Sequence, residues 1–199
     1  MLGRRAHTGK SGMRSSCQFN NLRFVTTSHL VNNLITHNGQ AEGSTGGRFG
    51  VVRETWTTPN PAGMQLRQNL ICGNRLGEFN GPVLDSTDSG NRTPNGNEGP
   101  GVSASAGCDA LATVFANVNG PDTLPGNPDD DFTLKTASPA IDRSIDPRTL
   151  GFPLLDALLI ADYLGEGRRA FDGDRNGQAA FDMGALESHN NKIPRAEAG

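Results

Sequence analysis

Leu30-Val-Asn-Asn-Leu-Ile-Thr-His-Asn-Gly39 and Leu66-Arg-Gln-Asn-Leu-Ile-Cys-Gly-Asn-Arg75 align without a gap at an offset of 36 residues. Five of the ten positions are identical: Leu30/Leu66, Asn33/Asn69, Leu34/Leu70, Ile35/Ile71 and Asn38/Asn74. A weaker relative, Gln18-Phe-Asn-Asn-Leu-Arg-Phe24, precedes them. Recurrence at a fixed period marks stacked structural units. Helical repeats of this length need two amphipathic helices each, with apolar residues at i, i+3, i+4 and i+7. Gln40 to Gly63 is rich in Gly, Thr and Pro and supplies no such pattern. The repeating piece is short, partly β-branched and closed by Asn-Gly or Gly-Asn, which describes a strand followed by a turn. Strands piled about 4.8 Å apart put equivalent side chains in columns. The expectation is therefore an all-β chain, a parallel β-helix (solenoid). Leu34 over Leu70 would fill its interior. Asn33 over Asn69, and Asn38 over Asn74, would form amide ladders, since each amide both donates and accepts. The competing reading is a pair of Asn-rich strands in a sandwich.

Composition agrees with many short strands joined by turns. The 199 residues include 26 Gly, 12 Pro and 18 Asn, and only 34% are apolar. The net charge of −3 implies no nucleic-acid surface. No apolar run approaches the roughly 20 residues needed to cross a bilayer; the longest, Leu154 to Leu164, is broken by Asp156 and Asp162. Met1 to Lys10 is charged but lacks a following apolar stretch, so it is not a recognisable signal peptide, which leaves a cytosolic protein or a fragment whose upstream part is missing. The expected organisation is a disordered start over 1–16, coils over 17–115, a C-terminal β-rich capping segment over 116–188 and a disordered tail over 189–199. A solenoid also needs a capped start, which Met1 to Ser16 does not offer, so the chain reads as a fragment. It is expected to be a monomer.

Individual stretches carry further expectations. Gly77 to Gly107 reads as a low-complexity turn region, Leu111 to Val118 and Phe132 to Lys135 as strands, and Pro153 to Leu164 as a short helix. Asp129 to Asp131 reads as a solvated turn. Asn91-Arg-Thr93 is formally a glycosylation acceptor and carries little weight. Cys72 and Cys108 are also 36 residues apart, so a disulfide is conceivable if one coil spans that length, but free buried thiols are the commoner outcome.

The richest chemical signal is Asp172-Gly-Asp-Arg-Asn-Gly-Gln-Ala-Ala-Phe-Asp182. Oxygens alternate at Asp172, Asp174 and Asn176, and Gly177 permits a tight bend, as a loop must if it is to wrap a hard cation. The loop departs from the helix-loop-helix pattern, because the twelfth residue is Met183 and Asp182 stands one place early. The expected ligands of Ca²⁺ are Asp172, Asp174, Asn176, Gln178 through its carbonyl, and Asp182. The plain alternative is a solvated, Gly-rich turn.

Phe115-Ala-Asn-Val, Asp131-Phe-Thr-Leu-Lys, Ser138-Pro-Ala-Ile-Asp142, Asp162-Tyr-Leu-Gly-Glu-Gly-Arg168, the Asp172 loop and Asp182-Met-Gly-Ala-Leu-Glu187 follow one another in order. Residues 110 to 188 thereby resemble the choice-of-anchor Q domain, the C-terminal module of bacterial right-handed parallel β-helix proteins. The resemblance implies a secreted or cell-surface module. The first function class is then a non-catalytic module, with no catalytic residue assigned, whose faces could bind polysaccharide or a surface partner. Family members commonly show Asp-Gly-Asp-Gly-Asp-Gly here; Arg175 and Asn176 replace a Gly and an Asp, which lowers the loop charge and implies weak to moderate calcium affinity. The other function class is a pectate-lyase-like carbohydrate-active enzyme, lyase or hydrolase. A lyase needs a base beside acidic cation ligands, and a hydrolase two facing carboxylates. Arg53, Arg67, Glu54, Asp85 and Asp88 show no spacing that singles them out, and His29, His37 and His189 form no cluster with a nucleophile.

Overall fold

The computed structural model describes residues 28–39, 48–52, 64–80, 84, 87–124, 127–151, 159–162, 165, 167 and 170–188. The weak repeat at 18–24, both expected termini and most of the 153–164 helix lie outside them. The sequence repeat becomes two successive layers of three short strands. The first holds β1 (Ser28–Val31), β2 (Leu34–Thr36) and β3 (Phe49–Val52); the second holds β4 (Met64–Arg67), β5 (Leu70–Cys72) and β6 (Gly77–Asn80). Each strand of the second layer runs parallel to its counterpart, with Leu30 opposite Leu66, Leu34 opposite Leu70 and Val51 opposite Phe79. Two further strands, β7 (Asn91–Thr93) and β8 (Val102–Ala104), extend one sheet to the order β2-β5-β7-β8. Leu70 faces Arg92, an offset of 22, and Asn91 faces Val102, an offset of 11. Gly77 to Gly107 therefore contains three strands where the sequence reading placed turns. Their rungs are brief and polar, and their spacing breaks the 36-residue period.

The layers superimpose because their corners repeat. Asn32 has φ 59°, and its counterparts Gln68, Gly90 and Gly101 have φ 53°, 66° and 69°. Each left-handed residue immediately precedes a member of one column: Asn33, Asn69, Asn91 and Val102. Left-handed backbone strains most side chains, whereas Gly adopts it freely and Asn tolerates it. The Asn column joins the layers. Asn69 Oδ1 accepts from Asn33 Nδ2 (3.0 Å) and the Asn33 amide (2.9 Å), and Asn69 Nδ2 donates to Asn91 Oδ1 (2.9 Å) and the Leu30 carbonyl (2.9 Å). A second rung pairs Asn38 Nδ2 with Asn74 Oδ1 at 2.9 Å. Asn91 is fully buried and both its amide atoms are used, so it is no glycosylation acceptor in this fold.

Side chains alternate across a strand, and the alternation builds two cores. Leu30, Ile35, Val51, Leu66, Ile71 and Phe79 converge from all three strand columns with Leu84. Leu34, Leu70 and Cys72 face the opposite way, against Cys108, Val114, Ala140 and Met183, with Phe115 and Leu134 beside them. The stacked pair Leu34/Leu70 thus fills the outer cluster; the inner one takes Ile35/Ile71. Complete burial of side chains such as Leu66, Leu70 and Ile71 contributes about 1.5–3 kcal/mol each.

Cys72 and Cys108 form a disulfide, Cα to Cα 5.7 Å, where free thiols were expected. The bond does not follow the stacking. The Cys72 column continues through Pro94 and Ser105, and Cys108 arrives from the turn after β8. Its 36-residue separation only coincides with the repeat.

The chain then makes one helical turn, α1 (Leu111–Val114), where a strand was expected. Thr113 Oγ1 donates to the carbonyls of Ala110 and Gly107, a local bond that competes with extended backbone. β9 (Phe115–Asn117) pairs antiparallel with β10 (Asp131–Leu134), and Phe115 meets Phe132 edge to face at 5.9 Å. Residues 159–160 are bends and Ala161 bridges Gly167, so no helix passes through 159–162. The last segment docks on the flank of the layers. Gly184 donates to the Asn32 carbonyl (2.7 Å), Asn32 Nδ2 to the Ile145 carbonyl (2.7 Å), and the Met183 amide to Ala140 (2.9 Å). The two bonds of Asn32 reach the first described layer. No helix among the described residues is long and apolar enough to cross a membrane.

Candidate metal centre

Residues 172–179 form a loop closed at its base by Phe171 and Ala180, whose amides and carbonyls exchange bonds of 3.2 and 3.0 Å. Arg175 (φ 62°) and Gly177 (φ 87°) bend it. Its carboxylates organise its backbone. Asp172 accepts from the amides of Asn176 and Gly177, both at 2.9 Å, and Asp174 from the Asn176 amide (3.1 Å) and Nδ2 (2.9 Å). The Gln178 amide donates to Asn176 Oδ1 at 2.8 Å.

A third carboxylate enters from another part of the chain. Asp142, in the turn after buried Ala140 and Ile141, accepts at Oδ2 from the Asp174 amide at 2.8 Å. One oxygen each from Asp142, Asp172 and Asp174 lies within 4.8 Å of the other two. Asp142 Oδ1 is buried without a well-formed hydrogen bond, and the Ala180 backbone lies close enough to oppose slightly the rise of its carboxyl. Desolvation, assisted by the Asp174 charge, raises the Asp142 carboxyl above its ordinary range, and the Asp174 amide partly opposes this. Three carboxylates this close repel one another, and an orphaned buried oxygen is costly. A hard, oxygen-seeking cation placed between them would relieve both costs. The residues fit such an ion.

The five ligands expected from sequence separate. Asp172 and Asp174 join the convergence. Asn176 is adjacent, but its amide is engaged within the loop, and Gln178 is exposed. Asp182 turns into a different, buried network: it accepts from the amides of Asp142 (2.8 Å) and Ser188, while its own amide donates to Glu187 (3.0 Å). Asp182 therefore holds the turn that carries Asp142, a carboxylate absent from the five residues expected from sequence. The missed signal was the Ser138-Pro-Ala-Ile-Asp142 turn itself, which ends in an acid behind two apolar residues.

His37 meets the Asp109 carbonyl, and its imidazole is held below its ordinary value, chiefly by burial. Comparison with known proteins returns no match to a family model, a curated protein or a solved structure.

Proposed function

We propose that this chain is a non-catalytic right-handed parallel β-helix module of the choice-of-anchor Q type, secreted or displayed on a cell surface, whose C-terminal segment is stabilised by calcium. The observation that carries the reading is the in-register stacking of three parallel strand columns around one apolar cluster, laced by the Asn33–Asn69–Asn91 column. Right-handed passage between parallel strands is the strong general preference. Two observations support an extracellular setting. The Cys72–Cys108 disulfide belongs to an oxidising compartment. The Asp142–Asp172–Asp174 convergence suits a cation that is plentiful outside cells.

In this reading Asp142, Asp172 and Asp174 hold the ion, and waters or carbonyls complete its shell. The ion neutralises the carboxylates and fastens the 172–179 loop to the Asp142 turn, which hydrogen-bonds through Asp182 to the segment docked on the layers. The module then presents a rigid surface for a polysaccharide or a surface partner. The test is thermal unfolding with calcium and with chelator, for wild type and Asp174→Ala. Calcium should raise the midpoint of wild type alone; at 100 times Kd the gain is about 2.7 kcal/mol. Equal midpoints in all four conditions remove the cation from the reading. Release of unsaturated product from polygalacturonate would replace the non-catalytic reading with a lyase.

A further inference from the structure

Among the described residues the first layer ends in an open face, and its counterparts one layer on show what covers such a face. Leu66, Leu70, Ile71, Asn69 and Asn74 are buried, whereas Leu30, Leu34, Ile35, Asn33 and Asn38, one rung earlier in the same columns, are half-buried. The amide columns are open at the same place. Each Asn accepts at its Oδ1 from the Asn before it: Asn69 from Asn33, Asn91 from Asn69, and Asn74 from Asn38. Among the described residues nothing donates to Oδ1 of Asn33 or Asn38. The backbone repeats the pattern. The Leu70 amide donates to the Asn33 carbonyl (2.9 Å), and the Arg92 amide to the Asn69 carbonyl (2.8 Å). The Leu34 amide, first in that series, faces the open side, away from β5. At the far end the column is closed: Val102 carries no side-chain amide, and the Asn91 amide donates to the Gly101 carbonyl at 2.9 Å.

Stacking order follows chain order, from Asn33 through Asn69 and Asn91 to Val102, so the occupant of this face comes from before Ser28. We propose that residues 20–25, which lie outside the described residues, dock on it as a further, short rung. Asn20-Asn21-Leu22 matches Asn32-Asn33-Leu34 at an offset of 12, and an offset of 11 already carries Asn91 to Val102. In this register Asn20 takes the corner, where Asn tolerates the left-handed backbone seen at Asn32. Asn21 donates from its amide and Nδ2 to Asn33 Oδ1, as Asn33 does to Asn69. Its carbonyl takes the Leu34 amide, and Leu22 stacks on Leu34. The rung stops there because β1 begins at Ser28, and only residues 23–27 remain to cross back to it; extended chain spans at most about 3.3–3.6 Å per residue. The crossing carries Phe24 and Val25 over the half-buried Leu30 and Ile35, and the apolar surface removed from water drives the docking. The inference uses no ligand of the cation site.

The test is residue-resolved amide hydrogen exchange on the full chain, read at Leu34 and, for the interior, at Leu70. The proteins are wild type, Asn21→Pro, Asn21→Ala and the control Ser11→Pro. Proline at 21 removes both donors to Asn33 and disfavours the corner conformation at Asn20. In wild type the Leu34 amide should exchange at least a hundredfold more slowly than in a free peptide. Asn21→Pro should speed it at least tenfold while Leu70 keeps its rate, and Ser11→Pro should leave both unchanged. Exchange of Leu34 at the free-peptide rate in wild type overturns the proposal, as does full protection in Asn21→Pro. Protection that rises with protein concentration also overturns it, because a second copy then covers the face. Where Asn21→Pro speeds Leu70 as much as Leu34, the chain has opened as a whole and Asn21→Ala decides: acceleration at Leu34 of at least threefold, with Leu70 unchanged, supports the docking, and an unchanged Leu34 rate overturns it.

Discussion

Replacing Asn69 with Ala should remove more stability than any other amide truncation in the stack. Asn69 is fully buried and its side chain makes four hydrogen bonds: two accepted from Asn33, one donated to the Leu30 carbonyl and one to Asn91 Oδ1. Each buried bond contributes about 1 kcal/mol net, and a stranded partner costs about 1–3 kcal/mol. Asn91 Oδ1 keeps the Asn69 backbone amide, and Asn33 Nδ2 keeps the Val31 carbonyl. The Asn33 amide loses its side-chain acceptor. The expected cost is about 3–5 kcal/mol, a large part of the roughly 5–15 kcal/mol that holds a domain together. Asn38→Ala is the comparison. It sits at the start of the shorter rung, is half-buried, and its side chain makes one bond, to Asn74, so about 1 kcal/mol is at stake. Urea unfolding of both variants, at unchanged slope, reads the difference. Asn69→Asp serves as a further check. It keeps the acceptor, loses the donors, and should recover part of its stability at acid pH, where the carboxyl regains a proton to donate. If Asn69→Ala costs no more than Asn38→Ala, the amide column is not what joins the layers.

Asp142→Asn should change sign with the medium. In chelator it relieves a carboxylate raised by desolvation and by Asp174, so the midpoint should hold or rise; in calcium it removes a ligand, so the midpoint should fall, and a fall in both media would refute the cation role. Breaking the disulfide with Cys72→Ser plus Cys108→Ser opens a link across 36 residues, worth about 4 kcal/mol of chain entropy; a shift in denaturation midpoint measures it, and reductant should shift wild type toward the double variant. His37 sits below its unfolded value, so the unfolded chain binds the proton first as pH falls through about 6.5. Stability should therefore be full above that pH and decline below it, and His37→Gln should flatten the decline in a series of midpoints from pH 8 to 5.

Much of the fold was legible because stacking is a local rule applied repeatedly. A chain that places Leu34 on Leu70 and Asn33 on Asn69 must show the same residues at the same interval, and the interval is visible without coordinates. The 172–179 loop was legible for a similar reason: its carboxylates bond to amides only a few residues away. Contacts that no repeat announces were not. Asp142 reaches Asp174 across 32 residues and Asp182 across 40. β7 and β8 continue the sheet at intervals the first repeat did not announce. The Leu34 column packs outward because a later segment arrives to cover it, so that alternation along the strand could not say which face would be the interior. Order along the chain fixed which strands could pile up. Only the folded arrangement decided what docks on their flank, because that choice depends on the burial and charge of residues that sequence leaves far apart.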